Sequence, residues 1–175
     1  MRYYILIGAL FLLSNCSQKI EEVDIKKSHP SHVYNFVNAD EYALNYYETV
    51  YVPVYSDIYH LDGTRRFKLT TTVSIRNTSL SDSAFILSAT YHDSYGKTLK
   101  EYVDSTILVS PLESIEFVVE EFENMGGAGA NFIVEWASNN HVDQLLIQSI
   151  MIGTYDKQGI SFLSESKVIK RVIKD

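Results

Sequence analysis

Carboxylates and histidines are the residues of this chain whose chemistry could support catalysis. Two opposed carboxylic acids, one protonated and one ionised, can cleave a glycosidic bond, and a nearby histidine can move a proton. Because carboxylates on the polar face of a strand are usually only solvated, a small hydrolase is the alternative interpretation and not the leading one. The candidate groups are Glu116, Glu120, Glu121 and Glu135, with His60 or His92 as the histidine.

The sequence gives little support for metal, cofactor or nucleophile chemistry. A metal site needs several His, Cys, Asp or Glu ligands at suitable spacing, and neither the five histidines nor the single cysteine form such a pattern. His29 and His32 fall in a polar N-terminal segment, and His141 falls in a predicted turn. A Gly-x-Ser-x-Gly nucleophile motif is missing as well. We therefore expect no metal, no cofactor and no catalytic residue.

A glycine-rich loop contains Gly126, Gly127 and Gly129. Successive backbone amides in such a loop can cradle an anion. This loop lacks the lysine and the Ser or Thr of a phosphate-binding loop, and it precedes a predicted strand instead of a helix. The glycines are better explained as a backbone device that permits positive φ angles or a close approach of two chain segments.

Tyrosines are the most suggestive feature, because seven of the thirteen lie between residues 34 and 59. Alternation along a strand would place Tyr47, Tyr51 and Tyr55 on one side, where their rings could stack on sugars or receive a partner's apolar surface. The alternative is that the rings simply cover a sheet face. The predicted binding site consists of Tyr47, Tyr51, Tyr55, Tyr59, His60 and Asn131, beside the glycine loop.

Two stretches must position the tyrosines. In residues 47–55 three valines alternate with the tyrosines, and Pro53 argues against a helix, which predicts a strand at an edge or beside a bulge. Residues 67–76 alternate apolar and polar side chains as one strand buried on one face. Between them, Asp62-Gly63 predicts a turn.

Residues 114–136 form the stretch around which the second half is organised. Runs rich in β-branched and aromatic residues flank the glycine loop. This pattern predicts a strand, a tight reversal and a second strand, which we call the central hairpin.

The other strands follow from alternation and turn residues. Residues 144–155 are apolar on both faces, which predicts a strand in the middle of a sheet, and residues 167–173 are basic, which predicts an edge strand. Residues 84–92 and 98–103 predict a hairpin, and 106–109 and 160–163 predict short strands. Together these strands predict an all-β fold, an immunoglobulin-like antiparallel β-sandwich of about 7 to 9 strands.

The N-terminal segment resembles an export signal with a lipidation site. One arginine precedes an apolar run over residues 5–13 that is too short to span a bilayer comfortably, and Leu13-Ser14-Asn15-Cys16 resembles a bacterial lipobox, with Asn15 in place of the usual small residue. We expect a signal peptide over residues 1–15, lipid such as palmitate on Cys16, a disordered or partly helical tether over 16–46, and a β-sandwich domain over 47–175. Within the tether, Asn38 could cap a short helix reaching Tyr46.

The composition and the predicted anchor together limit the partners. A net charge of −7, with charges scattered along the chain, argues against a nucleic-acid partner. The lipid on Cys16 would hold the protein on a membrane of the bacterial cell envelope, which we expect to be the outer membrane, on its periplasmic or surface face. We therefore expect a non-catalytic envelope module that binds a glycan or a protein, with a small envelope hydrolase as the alternative.

Several separated motifs resemble an uncharacterised bacterial family catalogued as domain of unknown function 3124. The resemblance covers about residues 47–170. It implies an exported, often lipid-anchored bacterial protein, and it brings no known activity and no assigned catalytic residue. The motifs are VYVPVYS at 50–56, IYH at 58–60, SIRN at 74–77, EFVVEE at 116–121, GGAGANFIVEW at 126–136, MIGT at 151–154 and QGISF at 158–162.

Overall fold

The computed structural model describes residues 33–121, 126–139, 145–155 and 158–174, and these residues fold as an all-β protein. The predicted signal peptide, Cys16 and residues 17–32 of the tether lie outside the described residues. In chain order the strands are β1 (Asn35–Phe36), β2 (Tyr46–Pro53), β3 (Asp57–His60), β4 (Asp62–Lys68), β5 (Thr70–Arg76), β6 (Ala84–His92), β7 (Thr98–Val103), β8 (Ile107–Val109), β9 (Ser114–Val119), β10 (Asn131–Ser138), β11 (Leu146–Tyr155), β12 (Gln158–Glu165) and β13 (Lys167–Ile173).

The strands form three antiparallel sheets. A seven-stranded sheet has the order β1-β8-β6-β10-β2-β13, with β7 also paired to β6. A four-stranded sheet has the order β12-β11-β5-β9, and β3 pairs with β4 in a two-stranded ribbon. The inner faces of the two larger sheets share one hydrophobic core, as the β-sandwich prediction requires, although the described part has more strands than expected. Core residues include Val50, Val52, Phe132 and Trp136 from the larger sheet and Val73, Ile75, Phe117 and Ile147 from the smaller.

Strand β2 shows why the alternation predicts the fold well. Val50 and Val52 are buried, whereas Tyr47 and Tyr51 on the opposite face are only half-buried. Each valine contributes roughly 1.5 kcal/mol of burial free energy. The last pair between β13 and β2 joins Lys167 to Tyr51, so Pro53 lies beyond that pair and its missing amide removes no bond to β13.

The prediction of a central hairpin is wrong. Strand β9 pairs with β5 in the four-stranded sheet, and β10 lies between β6 and β2 in the seven-stranded sheet. The intervening segment, of which residues 122–125 lie outside the described residues, therefore connects strands of different sheets. Apolar alternation around glycines is the same for a hairpin and for a connection across a sandwich, so the pattern alone does not identify the pairing partner.

The strand expected over residues 67–76 is divided at Leu69. Strand β4 ends at Lys68 and pairs with β3, and β5 begins at Thr70 in a different sheet. The Leu69 amide donates instead to the Ser56 carbonyl at 2.9 Å. The preceding reversal has Leu61 at a φ of 65°. Directly after it, the Asp62 side chain accepts from the Thr64 and Arg65 amides at 2.9 and 3.1 Å, which is an Asx turn at the predicted Asp62-Gly63, although both residues are also assigned to β4.

The folded unit begins before residue 47. Strand β1 pairs with β8, and Tyr46 is 1% exposed, so the compact unit starts at Val33, within the stretch predicted as the tether. Asn38 does cap a helix, because its side chain accepts from the Asp40 amide at 3.2 Å. That helix is a single 3₁₀ turn, Ala39–Glu41, and Tyr46 already belongs to β2.

The remaining strand predictions are confirmed. Strands β6 and β7 pair as a hairpin, and β8 is a short strand. Strand β11 lies between β12 and β5, as expected of a strand in the middle of a sheet. Strand β13 is the basic edge of the larger sheet, with Lys167, Lys170 and Arg171 along it.

Candidate functional site

The structure does not join the predicted tyrosines into one stripe. Tyr47 and Tyr51 lie on the outer face of the seven-stranded sheet, and the Tyr47 hydroxyl donates to the Leu44 carbonyl at 3.1 Å. Tyr55 packs edge-on against Phe162 of β12, with ring centroids 5.6 Å apart.

Asn131 lies on the larger sheet, at the end of β10, opposite Pro53 on one side and His92 on the other. Tyr59 and His60 belong to the ribbon. The six predicted residues are therefore divided between the outer face of the larger sheet, the Tyr55–Phe162 contact and the ribbon.

Tyr59 and His60 line a cleft between the ribbon and β12, which we call the ribbon cleft. Its volume is about 600 Å³. One wall of the cleft is the ribbon, whose strands β3 and β4 are close in sequence. The other wall is β12, which is about 100 residues later in the chain. The lining residues are Ile58, Tyr59, His60 and Phe67 from the ribbon and Gln158, Gly159 and Ile160 from β12.

Tyr59 is held in place although its side chain is 54% exposed. The Arg66 guanidinium lies over the Tyr59 ring, 4.2 Å from its centroid, and its Nη2 donates to the Tyr59 hydroxyl at 3.0 Å. Nη1 of Arg66 donates to the Asp57 carboxylate, which raises the pKa of the guanidinium. Asp57 and Arg66 therefore form a brace that orients an exposed aromatic ring.

The ribbon cleft is suited to an uncharged ligand. Among the lining residues that the structure describes, none is Asp, Glu, Lys or Arg. Ile58, Phe67 and Ile160 supply apolar contact area, while Gln158 and His60 supply hydrogen-bonding groups. A cleft with apolar walls and a few polar groups is the usual form of a ligand site.

The candidate acid–base residues do not converge. Glu135 is exposed on the outer sheet face, in a groove of about 220 Å³ that it shares with Lys170 and Lys174. Glu121 lines a different cleft of about 210 Å³ beside Arg66 and Lys68.

The two candidate histidines also lie apart from these carboxylates. The His92 ring is hydrogen-bonded to Thr90 and Thr98, and His60 lines the ribbon cleft, which contains none of the candidate carboxylates. Glu120 is exposed just after β9. Across the residues described, no group of three or more His, Cys, Asp or Glu side chains is placed to hold a metal ion.

The glycine loop uses its polar groups within the protein. The Gly127 amide donates to the Ser56 hydroxyl at 2.7 Å, and the Gly129 amide donates to the Ser94 hydroxyl at 2.9 Å. Ser94 in turn donates to the Gly126 carbonyl at 2.8 Å. Gly127 has a φ of 80°, which favours glycine. These contacts support the interpretation of the glycine loop as a backbone device and not as an anion-binding loop.

A buried carboxylate, Glu48, was missed by the sequence analysis. It is 3% exposed, and it lies directly between Trp136 of β10 and Arg171 of β13 across the sheet. Trp136 Nε1 donates to it at 3.2 Å, Arg171 Nε donates at 2.8 Å, and the Tyr46 hydroxyl also donates to it. Alternation does predict this burial, because Glu48 shares a face with Val50.

The Glu48 cluster, consisting of Glu48, Tyr46, Trp136 and Arg171, joins three strands electrostatically. Burial, followed by the hydrogen bond to Glu48, raises the pKa of Tyr46 to about 12, so this phenol stays protonated and remains a donor at neutral pH. The hydrogen bond to Glu48 also raises the pKa of Arg171. We interpret the cluster as a structural tie that holds β13 on β2.

A family model described as "Protein of unknown function (DUF3124)" matches residues 47–169. The chain is similar to a solved structure described as "Crystal Structure of Thermotoga maritima 1070", with 13% identity and a TM-score of 0.40, over 69% of this chain and 92% of that one. No curated protein matches the chain. The described part of the chain contains no helix of the length and apolarity that a membrane span requires.

Proposed function

The chain belongs to the DUF3124 family of proteins of unknown function, and on this premise we propose that it is a non-catalytic binding module of the bacterial cell envelope. The observation that carries the proposal is the braced, exposed Tyr59 beside the ribbon cleft, whose described lining residues carry no Asp, Glu, Lys or Arg. The ligand is a segment of an envelope glycan or protein that contacts Tyr59 and enters the cleft. The tyrosines on the outer face of the larger sheet are not needed for this function.

The brace matters because binding normally requires mobile side chains to be ordered. Immobilising one flexible side chain costs roughly 0.5–1.5 kcal/mol of affinity. Arg66 and Asp57 already fix the Tyr59 ring in the free protein, so this ordering is largely complete before a ligand arrives. An aromatic ring with few rotatable bonds also gives much contact area at low entropic cost.

The separation of the acid–base candidates supports binding over hydrolysis. Glycoside hydrolysis needs two carboxyl groups facing the same bond. Here Glu135 and Glu121 line different clefts, and the ribbon cleft that contains His60 lacks both of them. We therefore propose no reaction for this site.

Replacing Tyr59 by alanine is expected to weaken ligand binding at least about tenfold, since truncating a central aromatic contact typically costs about 2 kcal/mol. The full chain, carrying Cys16→Ser for solubility, is immobilised and tested by biolayer interferometry against purified envelope polysaccharide fragments and a random peptide library. Tyr95→Ala is the matched control, because Tyr95 is 96% exposed and does not line the cleft. Equal binding of every probe by the parent chain and the Tyr59→Ala variant would contradict the proposed function.

Replacing Cys16 by serine is expected to release the protein from membranes. The lipobox-like sequence before Cys16 supports lipidation there, and several acyl chains together give firm anchoring, at roughly 0.8 kcal/mol per buried methylene. In bacteria fed an alkyne analogue of palmitate, the parent chain and a Ser17→Ala control should label and sediment with membranes. Labelled, membrane-bound Cys16→Ser protein would show that the anchor lies elsewhere.

A further inference from the structure

Strand β12 leaves one of its two edges without a partner strand in the described part of the chain. It pairs with β11 in an unbroken register from Gln148 opposite Glu165 to Tyr155 opposite Gln158. It is the terminal strand of the four-stranded sheet. Alternate amides and carbonyls of an edge strand point away from the sheet, and they form a template for another extended chain.

The other long edges are protected, and β12 is not. Strand β13 carries lysines and an arginine, and its pairing with β2 is interrupted by a bulge between Val168 and Lys170. Strand β7 has two irregularities in its register with β6, and β9 has Glu116 on its exposed face. By contrast, β12 contains no charge from Gln158 to Ser164, no proline and no bulge. Charges, prolines and bulges are the usual devices that block edge pairing.

The open edge of β12 is continuous with the ribbon cleft. Gln158, Gly159 and Ile160 belong to the strand and also line the cleft. A chain lying along this edge would project alternate side chains to opposite faces, because the side-chain period of a strand is two. One of those side chains would enter the cleft beside Tyr59. Main-chain bonds then supply affinity, and the cleft supplies specificity.

The surface beside β12 indicates the composition of the incoming chain. On the outer face of the four-stranded sheet, Leu163 of β12 lies opposite Ile150 of β11 and is 47% exposed, and Ile152 is 53% exposed. An added strand with apolar outward side chains would extend this exposed apolar band. A charged segment would gain no opposite charge from the described lining residues of the cleft or from residues 158–164.

We propose that the ligand of the ribbon cleft is an extended, uncharged polypeptide segment that adds to β12 as a further strand and places an apolar side chain in the cleft. The inference rests on the proposed function, because it names the ligand class of the same site. The regularly spaced main-chain groups of β12 match a polypeptide, whose amides and carbonyls repeat at about 3.4 Å per residue.

The test begins with a display library of random nine-residue peptides panned against the full Cys16→Ser chain. The strongest binder is synthesised in two N-methylated forms, one blocking odd-numbered amides and the other even-numbered amides. In an added strand only alternate amides face β12, so one form should lose at least about tenfold in affinity, since each lost hydrogen bond costs roughly 1 kcal/mol. The other form should bind almost as well as the unmodified peptide.

Matched variants connect that binding to the edge. Ser161 is exposed in the middle of β12, and Ser114 is exposed on β9 at the opposite edge of the same sheet. Ser161→Lys should weaken the peptide about tenfold, because a charge on the edge opposes strand pairing. Ser114→Lys should leave its affinity unchanged. Circular dichroism of both variants checks that the fold is retained.

Four results would overturn the inference. Equal tolerance of both N-methylated forms would show that the peptide does not bind as a strand. Selective binding of polysaccharide fragments that depends on Tyr59, with no peptide enriched, would make the ligand a glycan and leave the proposed function standing. A concentration-dependent dimer that Ser161→Lys abolishes, together with loss of peptide binding on dimerisation, would assign the edge to a second copy of the chain. Failure of all probes would remove the proposed function as well.

Discussion

Replacing Glu48 by alanine is expected to lower the free energy of unfolding by about 3 kcal/mol, because it removes the acceptor of a buried hydrogen-bonded cluster. The carboxylate is 3% exposed and accepts from Tyr46, Trp136 and Arg171. Its loss leaves the Tyr46 hydroxyl and the Trp136 indole N–H without that acceptor inside the sandwich. Denaturant unfolding of the parent chain and the variant measures the difference.

The exposure of Arg171 determines which groups account for the lower free energy of unfolding. Its side chain is 41% exposed, so water can solvate the guanidinium once Glu48 is gone, and most of the penalty arises from the two buried donors. Strand β13 should also lose protection, because the ion pair joins it to β2. Hydrogen exchange of the β13 amides is therefore expected to accelerate more than that of β10.

The matched control for this prediction is Glu135→Ala, on the neighbouring strand. Glu135 is exposed and accepts from the Ser88 hydroxyl at 3.2 Å, so its removal should change stability by no more than about 0.5 kcal/mol. Similar losses for Glu48→Ala and Glu135→Ala, with β13 exchange unchanged, would show that the Glu48 cluster does not hold the sheet together.

The sheet face on which each side chain lies could be predicted from the sequence, because it depends on local alternation alone. The valines of β2 point inward and Tyr47 and Tyr51 point outward, as the period of two requires. The same rule puts Glu48 inside, and a charge on the apolar face of a strand was the available signal for its cluster.

The partner of each strand could not be predicted in the same way. The apolar patterns of β9 and β10 are equally compatible with pairing to each other and with placement in opposite sheets. The choice depends on contacts with β5, β6 and β2, which are distant in sequence. This is why the predicted pairing of the central hairpin was wrong although both of its strands exist.

The ribbon cleft depends on the same kind of distant contact. Tyr59 and His60 could be singled out from the sequence as possible binding residues, but the opposite wall comes from Gln158, Gly159 and Ile160. Neither alternation nor turn residues indicate that the ribbon lies beside β12. The brace that Asp57 and Arg66 form on Tyr59 also joins two strands, so it depends on the pairing of β3 with β4.

Replacing Gly153 by alanine is expected to destabilise the protein by about 2–3 kcal/mol through overpacking where the ribbon meets β11. A Cβ at Gly153 would lie 2.6 Å from the Lys68 carbonyl oxygen and 2.8 Å from Leu69 Cδ2, and closer still to the Phe67 ring. The carbonyl belongs to the backbone, so it cannot rotate away as a side chain would. The end of β4 must therefore move.

Gly159→Ala is the control, because Gly159 lies opposite Thr154 on the adjacent strand and a Cβ there would meet no atom closer than 3.9 Å. Its unfolding free energy should stay within about 0.5 kcal/mol of the parent chain. Thermal and denaturant unfolding of both variants gives the comparison. Equal stability of the two would show that the ribbon yields without cost at this contact.

The Gly153→Ala variant also tests whether ligand binding depends on the ribbon or on the rest of the sandwich. Phe67 is both a wall of the ribbon cleft and the ring that a new Cβ would displace. Well below its unfolding temperature the variant should therefore remain folded and yet bind Tyr59-dependent ligands about tenfold more weakly, since the cleft loses its shape. Unaltered affinity in a chain destabilised to the predicted extent would mean that the ligand does not contact the Phe67 side of the cleft.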